Sequence, residues 1–254
     1  MKILVAIKQV PARDSQLIAH ESGTWIDESD LSFEINEPDA YALEEALQLK
    51  EKHGGEVVAL CLGPDHASGI IMDALAKGAD RAIHIEEENP SLLDSFETAK
   101  LLVSAIQAEA PDLVLTGLQS DDLGSGQTGV VIAELMGYTH ATIIMQVELD
   151  GSSIRVKREL EDGWFQYVSM PLPAVLTIQS GINTLRYANL MGLKRAKTKE
   201  VKQISADHAD VSASSKTIRV YAPDKQKQTV MLEGDAETVA AQLVEKLKTE
   251  ARVI

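Results

Sequence analysis

Apolar and polar residues alternate along this chain in two rhythms. Residues 2–10 (KILVAIKQV) are a β-branched apolar run suited to a strand buried on both faces. The stretch to about residue 35 is polar and irregular. Asn36 then offers an N-cap, with Pro38 and Asp39 in the first turn of a helix. Tyr41, Leu43, Ala46, Leu47 and Leu49 follow as its apolar residues, and Gly54-Gly55 ends it. Residues 56–62 (EVVALCL) read as a second strand, and Gly63-Pro64 turns into a helix that closes near Gly78. Residues 81–85 make a third strand, residues 94–110 a helix stopped by Pro111, and residues 112–116 (DLVLT) a fourth strand. A glycine-rich loop leads into a helix over residues 127–136.

Four strand–helix alternations predict a parallel sheet with right-handed crossovers and helices on both faces. Ligands of such sheets bind beyond the carboxyl ends of the strands. The loops after Val10, Leu62 and Thr116 are therefore expected to meet in one site. After Tyr138 the rhythm shortens. Residues 141–149, 153–160 and 164–169 read as strands joined by Asp150-Gly151 and Asp162-Gly163, both hairpin signals, and Ala174–Ile178 reads as a further buried strand. The expected fold class is α/β: doubly wound, mostly parallel, with additional antiparallel strands.

From Thr198 to about Lys216 the chain is polar, rich in Ser, Asp and Lys, and is expected to be an extended arm. It leads to a helix over residues 235–252, with Val239, Leu243, Val244 and Leu247 on one face. The expected division is an α/β domain over residues 1–197 and an arm with a helix over 198–254. Such an arm either embraces a partner or packs on its own domain.

Composition narrows the function. The chain has 254 residues and a net charge of −15, which opposes a role in coating nucleic acid or an anionic membrane. A local basic patch (Lys194, Arg195, Lys197, Lys199, Lys202) reads as a solvated surface helix. No apolar run reaches the roughly 20 residues needed to span a bilayer, and the opening run reads as a strand and not a signal peptide. With Cys61 alone, there is no disulfide framework or thiolate cluster. A reducing compartment fits, and the cytoplasm is expected.

The chemistry-bearing signal is the loop 117–129, GLQSDDLGSGQTG. Gly124, Gly126 and Gly129 spell G-x-G-x-x-G between a strand and a helix, where free N–H groups and the helix dipole can hold a phosphate. A glycine-rich helix cap spells the same pattern. The dinucleotide fingerprint follows the first strand, whereas this loop follows the fourth, which argues against an NAD dehydrogenase. Six scattered histidines show no metal spacing, and no acid–base or nucleophile set is visible. An adenine-nucleotide sensor or hydrolase of related fold would need a residue to activate water, and none stands out. The balance favours a binding or carrier role.

Several segments in matching order resemble the beta subunit of electron transfer flavoprotein. They are the opening KILVAIKQVP, Asn36 with Leu43-Glu44-Glu45-Ala46, the loop 117–129, Arg158-Glu159-Leu160-Glu161-Asp162-Gly163, Leu172-Pro173-Ala174-Val175-Leu176-Thr177, and Asn183 with Arg186-Tyr187-Ala188. The resemblance implies a heterodimer whose alpha subunit carries most of an FAD site, while the beta subunit buries a structural AMP. It implies a carrier that takes electrons from flavin dehydrogenases and passes them singly, commonly to a membrane quinone oxidoreductase. Position by position, Ala6, Asn36, Leu62, Ser120 and Leu123 would surround the adenosine, and Gly126, Gln127 and Thr128 would hold the phosphate. The dehydrogenase-docking segment maps to residues 186–194, with Leu190 as anchor beside Arg186, Tyr187, Met191 and Leu193. Periodicity alone reads the same segment as a short helix tucked onto the domain. The chain departs from the family at Leu123, Gly124 and Leu185. Gln127-Thr128-Gly129 matches the AMP-binding type rather than relatives that hold a second FAD.

Overall fold

The buried apolar runs lie side by side as one sheet. The computed structural model describes residues 1–208, 211–223 and 229–253. Numbered along the chain, its strands are β1 (Lys2–Ile7), β2 (Gln9–Pro11), β3 (Phe33–Ile35), β4 (Glu56–Gly63), β5 (Arg81–Glu86), β6 (Leu113–Gly117), β7 (Thr139–Asp150), β8 (Ser153–Glu159), β9 (Phe165–Pro171), β10 (Ala174–Ile178) and β11 (Val201–Ser205). The main sheet has the order β11-β5-β4-β1-β6-β10-β7-β8-β9. Every pairing from β11 to β7 is parallel, and β8 and β9 return antiparallel as the two hairpins the sequence predicted.

Because successive strand residues point to opposite faces, a strand buried on both sides feeds two cores. In β1, Ile3, Val5 and Ile7 enter one core and Leu4 the other; in β4, Val57, Ala59 and Cys61 oppose Val58, Leu60 and Leu62. The first core is covered by α1 (Glu37–His53), α2 (Ser68–Lys77) and the end of α5 (Leu190–Ala196). The second is covered by α3 (Ser95–Glu109) and α4 (Thr128–Met136). The helices after β1 and β6, which are neighbours, therefore pack on opposite faces. That divergence opens a crevice at the carboxyl ends of these strands.

Two readings of the sequence are corrected. Residues 2–10 do not make one strand: at Lys8 the backbone N–H donates to Asp39 Oδ2 (2.8 Å), and β2 then pairs with β3 in a separate ribbon. The polar stretch from residue 198 does not begin as a free arm, since β11 pairs in parallel with β5 at the sheet edge. Half-exposed on that edge, β11 needs only Val201 and Ile204 as apolar contacts, so its sequence carries no strong strand signal.

Residues 221–253 form a second, smaller unit. Within it α6 (Ala236–Lys246) is N-capped by Asp235, whose side chain accepts from Thr238 N–H (2.8 Å), and ends in a wider turn over Leu247–Ala251. Among the described residues no helix is long and apolar enough to cross a membrane.

Candidate functional site

At the carboxyl ends of β1, β4 and β6 lies a cleft of about 450 Å³, within the roughly 300–1,000 Å³ usual for small-ligand sites. Ala6, Asn36, Leu62, Ser120, Leu123, Gly126, Gln127 and Thr128 all line it. Eight positions scattered over more than 120 residues are brought together by strand ends and by loop 117–129.

Asn36 stands at the N-cap position of α1 but does not cap it with its side chain. Its Nδ2 donates to the Gln119 carbonyl (3.0 Å) and its Oδ1 accepts from Asp121 N–H (2.9 Å). The buried amide thus ties the loop to the helix, a long-range use that local capping preference could not reveal. Asp39 does the same for the strands: Oδ2 accepts from Lys8 N–H and Oδ1 from Gly117 N–H, each at 2.8 Å. Burial pushes its carboxyl up to about 7, against the opposing pull of those two bonds. Gly117 is required here, because a Cβ would collide with Asp39 Oδ1 and come within 2.7 Å of Pro38 Cβ.

The glycines of the loop divide their work. Gly124 and Gly126 have φ of 63° and 62°, a left-handed conformation that admits glycine at little cost. Gly129 serves packing instead: a Cβ there would lie 2.6 Å from both Thr116 Oγ1 and Thr177 Cγ2, so α4 could not sit as closely on β6 and β10. Gln127 occupies the α4 N-cap without a side-chain hydrogen bond, and Thr128 and Gly129 open the helix at the cleft. Uncapped first-turn N–H groups at the positive end of a helix suit an anion.

Sequence reasoning missed three contributors. Lys8 lines the cleft, its ammonium 2.6 and 2.7 Å from the two oxygens of Asp122 and 3.4 Å from Ser120 Oγ. The sequence reading placed it inside the first strand, so nothing marked it as a cleft residue. Asp39 was read only as a first-turn helix residue. The third is a wall of residues 90–96 faced by Ser214, Ser215 and Thr217, for which the sequence offered no signal. Cys61 is fully buried, and burial pushes its thiol up to about 12, as befits an inert core side chain. Among the described residues no three His, Cys, Asp or Glu side chains are grouped to hold a metal.

The second predicted site is at α5. Asn189 caps it, accepting from Gly192 N–H (2.8 Å), and Gly192 lies flat on α2, where a Cβ would overlap the Ala76 carbonyl. This seating turns apolar side chains outward: Tyr187 is 93% exposed, Leu190 79%, and Met191 and Leu193 about half. Leu190 is thus no core residue. Arg186 is engaged within the chain. Its Nε and Nη2 donate to Glu44 (2.7 and 3.0 Å) and its Nη1 and Nη2 to Glu51 (2.6 and 3.2 Å), which raises its pKa. Asn183 Nδ2 adds bonds to the Tyr41 carbonyl (3.2 Å) and Glu45 (3.1 Å). Arg186 and Asn183 therefore brace the segment on α1, and the exposed surface is Tyr187, Leu190, Met191 and Leu193.

Comparison with known proteins agrees with this architecture. A family profile described as "Electron transfer flavoprotein domain" matches residues 23–209. The chain is 37% identical to "Electron transfer flavoprotein subunit beta" of Methylophilus methylotrophus, over 96% of this chain and 97% of that protein. It is 35% identical to the protein of that name in Bradyrhizobium diazoefficiens and 32% to that in Bacillus subtilis, each over the full length of both chains. The sheet, the helix order and these full-length matches agree: the chain belongs to the electron transfer flavoprotein family, among the beta subunits.

Proposed function

We propose that this chain is the beta half of a two-chain electron carrier, holding AMP in the cleft and docking electron donors through α5. The observation that carries the nucleotide reading is the convergence of Ala6, Asn36, Leu62, Ser120, Leu123, Gly126, Gln127 and Thr128 on one cleft at the start of α4. The residues fit the ligand chemically. Apolar Leu62 and Leu123 suit a base, and the α4 amides with the Thr128 hydroxyl suit a phosphate. The bonds from Asn36 and Asp39 keep the loop in place before any ligand arrives. AMP here is structural: Asp39, the buried carboxyl of the cleft, has its two oxygens taken up by Lys8 and Gly117 N–H, so it braces the site and does not serve as a base for water.

FAD, held mainly by the alpha subunit, supplies the redox chemistry when bound. This chain's part is to complete that site as a partner and to present an apolar anchor to donors. Leu190 and its exposed neighbours fit a concave apolar pocket on a flavin dehydrogenase, as a hot-spot residue does. A downstream acceptor, commonly a membrane quinone oxidoreductase in the family, receives the electrons. This chain inserts into no membrane and binds no nucleic acid in that role, in keeping with its net charge of −15.

Acid release from the purified two-chain complex tests the reading: one AMP and one FAD are expected per complex. Thr128→Val keeps shape but removes a donor to a charged group, a loss of about 1.5–3 kcal/mol. It should lower AMP retention and leave flavin content unchanged. A second flavin in place of AMP, or no nucleotide in the wild-type complex, would overturn the assignment.

A further inference from the structure

After β11 the described residues are tied at several points to the sheet edge and the cleft. Ala206 N–H donates to the Glu86 carbonyl (3.1 Å), and His208 Nε2 lies 2.7 Å from Glu87 Oε2. Further on, Ser214 and Ser215 N–H donate to Asp94 Oδ2 at 2.6 and 2.7 Å, and Val220 N–H donates to the Gly23 carbonyl (2.7 Å). Ser214 and Ser215, at the first of these last two anchors, and Thr217 just beyond it form one wall of the cleft.

Asp94 divides its two oxygens between two tasks. Oδ1 caps α3, accepting from Phe96 and Glu97 N–H (3.0 and 2.9 Å), while Oδ2 takes the two serine amides. Burial alone would raise its carboxyl, but the backbone bonds from Glu97, Ser215, Ser214 and Phe96 outweigh it and hold the group below its ordinary range. The segment it grips is VSASSKT, in which Val211 packs against the second core and the residues from Ser212 to Thr217 offer little apolar surface. Charge-assisted bonds to one carboxylate oxygen hold the Ser214–Ser215 turn, and such bonds are short and strong.

We propose that Asp94 is a positioning residue for the nucleotide: it latches the Ser214–Ser215 turn across the cleft, so the hydroxyl-bearing segment through Thr217 closes over a bound mononucleotide and sets its residence time. This rests on the reading of the cleft as a nucleotide site. It accounts for a polar segment serving as a wall, since hydroxyls suit a polar ligand where apolar side chains do not. Release then requires the Asp94 bonds to break, while the α4 end of the cleft stays as it is.

The test is exchange of labelled AMP for excess unlabelled AMP in the purified two-chain complex. Asp94→Asn keeps an acceptor for α3, because Asn caps helices as well as Asp, but it cannot also accept both serine amides. Ser214→Pro removes one of those amides without touching α3. Glu97→Ala breaks the reciprocal cap on α3 and leaves the latch. Exchange about tenfold faster in D94N and S214P, with E97A exchanging like wild type despite a lower melting temperature, is the expected result. If S214P and D94N exchange AMP at the wild-type rate, the latch is wrong and the nucleotide site stands. If the wild-type complex neither carries nor takes up AMP, the nucleotide reading falls and the latch with it.

Discussion

Replacing Leu190 with alanine separates docking from folding, and the structure sets both magnitudes. Full burial of a leucine side chain contributes about 1.5–3 kcal/mol. Leu190 is 79% exposed, so only about a fifth of that is realised within the chain. Alanine favours a helix at least as well as leucine, so the fold should lose roughly 0.5 kcal/mol or less, a melting shift of about 1–2 °C for a chain of this size. Enclosure in a partner pocket would bury the remaining four-fifths, about 1–2.5 kcal/mol, or roughly 5- to 50-fold in affinity. Stopped-flow reduction by a cognate dehydrogenase should show KM rising by that factor with kcat near wild type, mainly through faster dissociation. Reduction by dithionite should not change. A melting drop of many degrees with unaltered coupling to the dehydrogenase would refute the reasoning.

Gly117→Ala forces a Cβ against Asp39 and Pro38, and should cost about 1–3 kcal/mol as overpacking does, with lowered AMP retention; thermal melts and nucleotide release check both. Glu109 accepts from Arg81 (2.6 and 3.0 Å) and Lys2 (3.2 Å), and the Arg81 bonds hold it down at about 2 from an ordinary 4.5. Its contribution is therefore complete above pH 4.5 and is lost as pH falls towards 2. Denaturant melts of Glu109→Gln should be less stable at neutral pH and show a shallower decline across that acid window.

Legibility in the sequence followed the range of the interactions. Ala174–Ile178 could be read because a strand buried on both faces is apolar at nearly every position, here all but Thr177, and the Asp150-Gly151 turn because its chemistry is local. β11 was not legible: an edge strand with one neighbour needs few apolar residues. The break at Lys8 depends on Asp39, 31 residues away, and the engagement of Arg186 on Glu44, 142 residues away. Neither partner is visible in a local window. The eight cleft residues came from the family resemblance and from the rule that ligands sit at strand ends, whereas the Ser214–Thr217 wall has no residue pattern to announce it. At α5 periodicity read a short helix tucked onto the domain, and α5 does lie on α2; which face is left outward depends on Gly192, whose missing side chain lets the other face lie flat and leaves Leu190 exposed.

Helix α1 works as a yardstick between two sites. Its first turn holds Asp39, and Asn36 stands just before it, at the cleft; Glu44, Glu45 and Glu51 on its later turns hold Arg186 and Asn183. Seventeen residues at 1.5 Å each give a rod of about 25 Å. Inserting one residue between Asp39 and Glu44 would turn the far end by about 100° and advance it about 1.5 Å. The carboxylates would leave Arg186, or the cleft would lose its brace. Surface loops can lengthen freely among relatives, but the spacing from Asn36 to Glu51 is set from both ends at once. A change of length there would have to be matched by simultaneous changes in two distant parts of the chain.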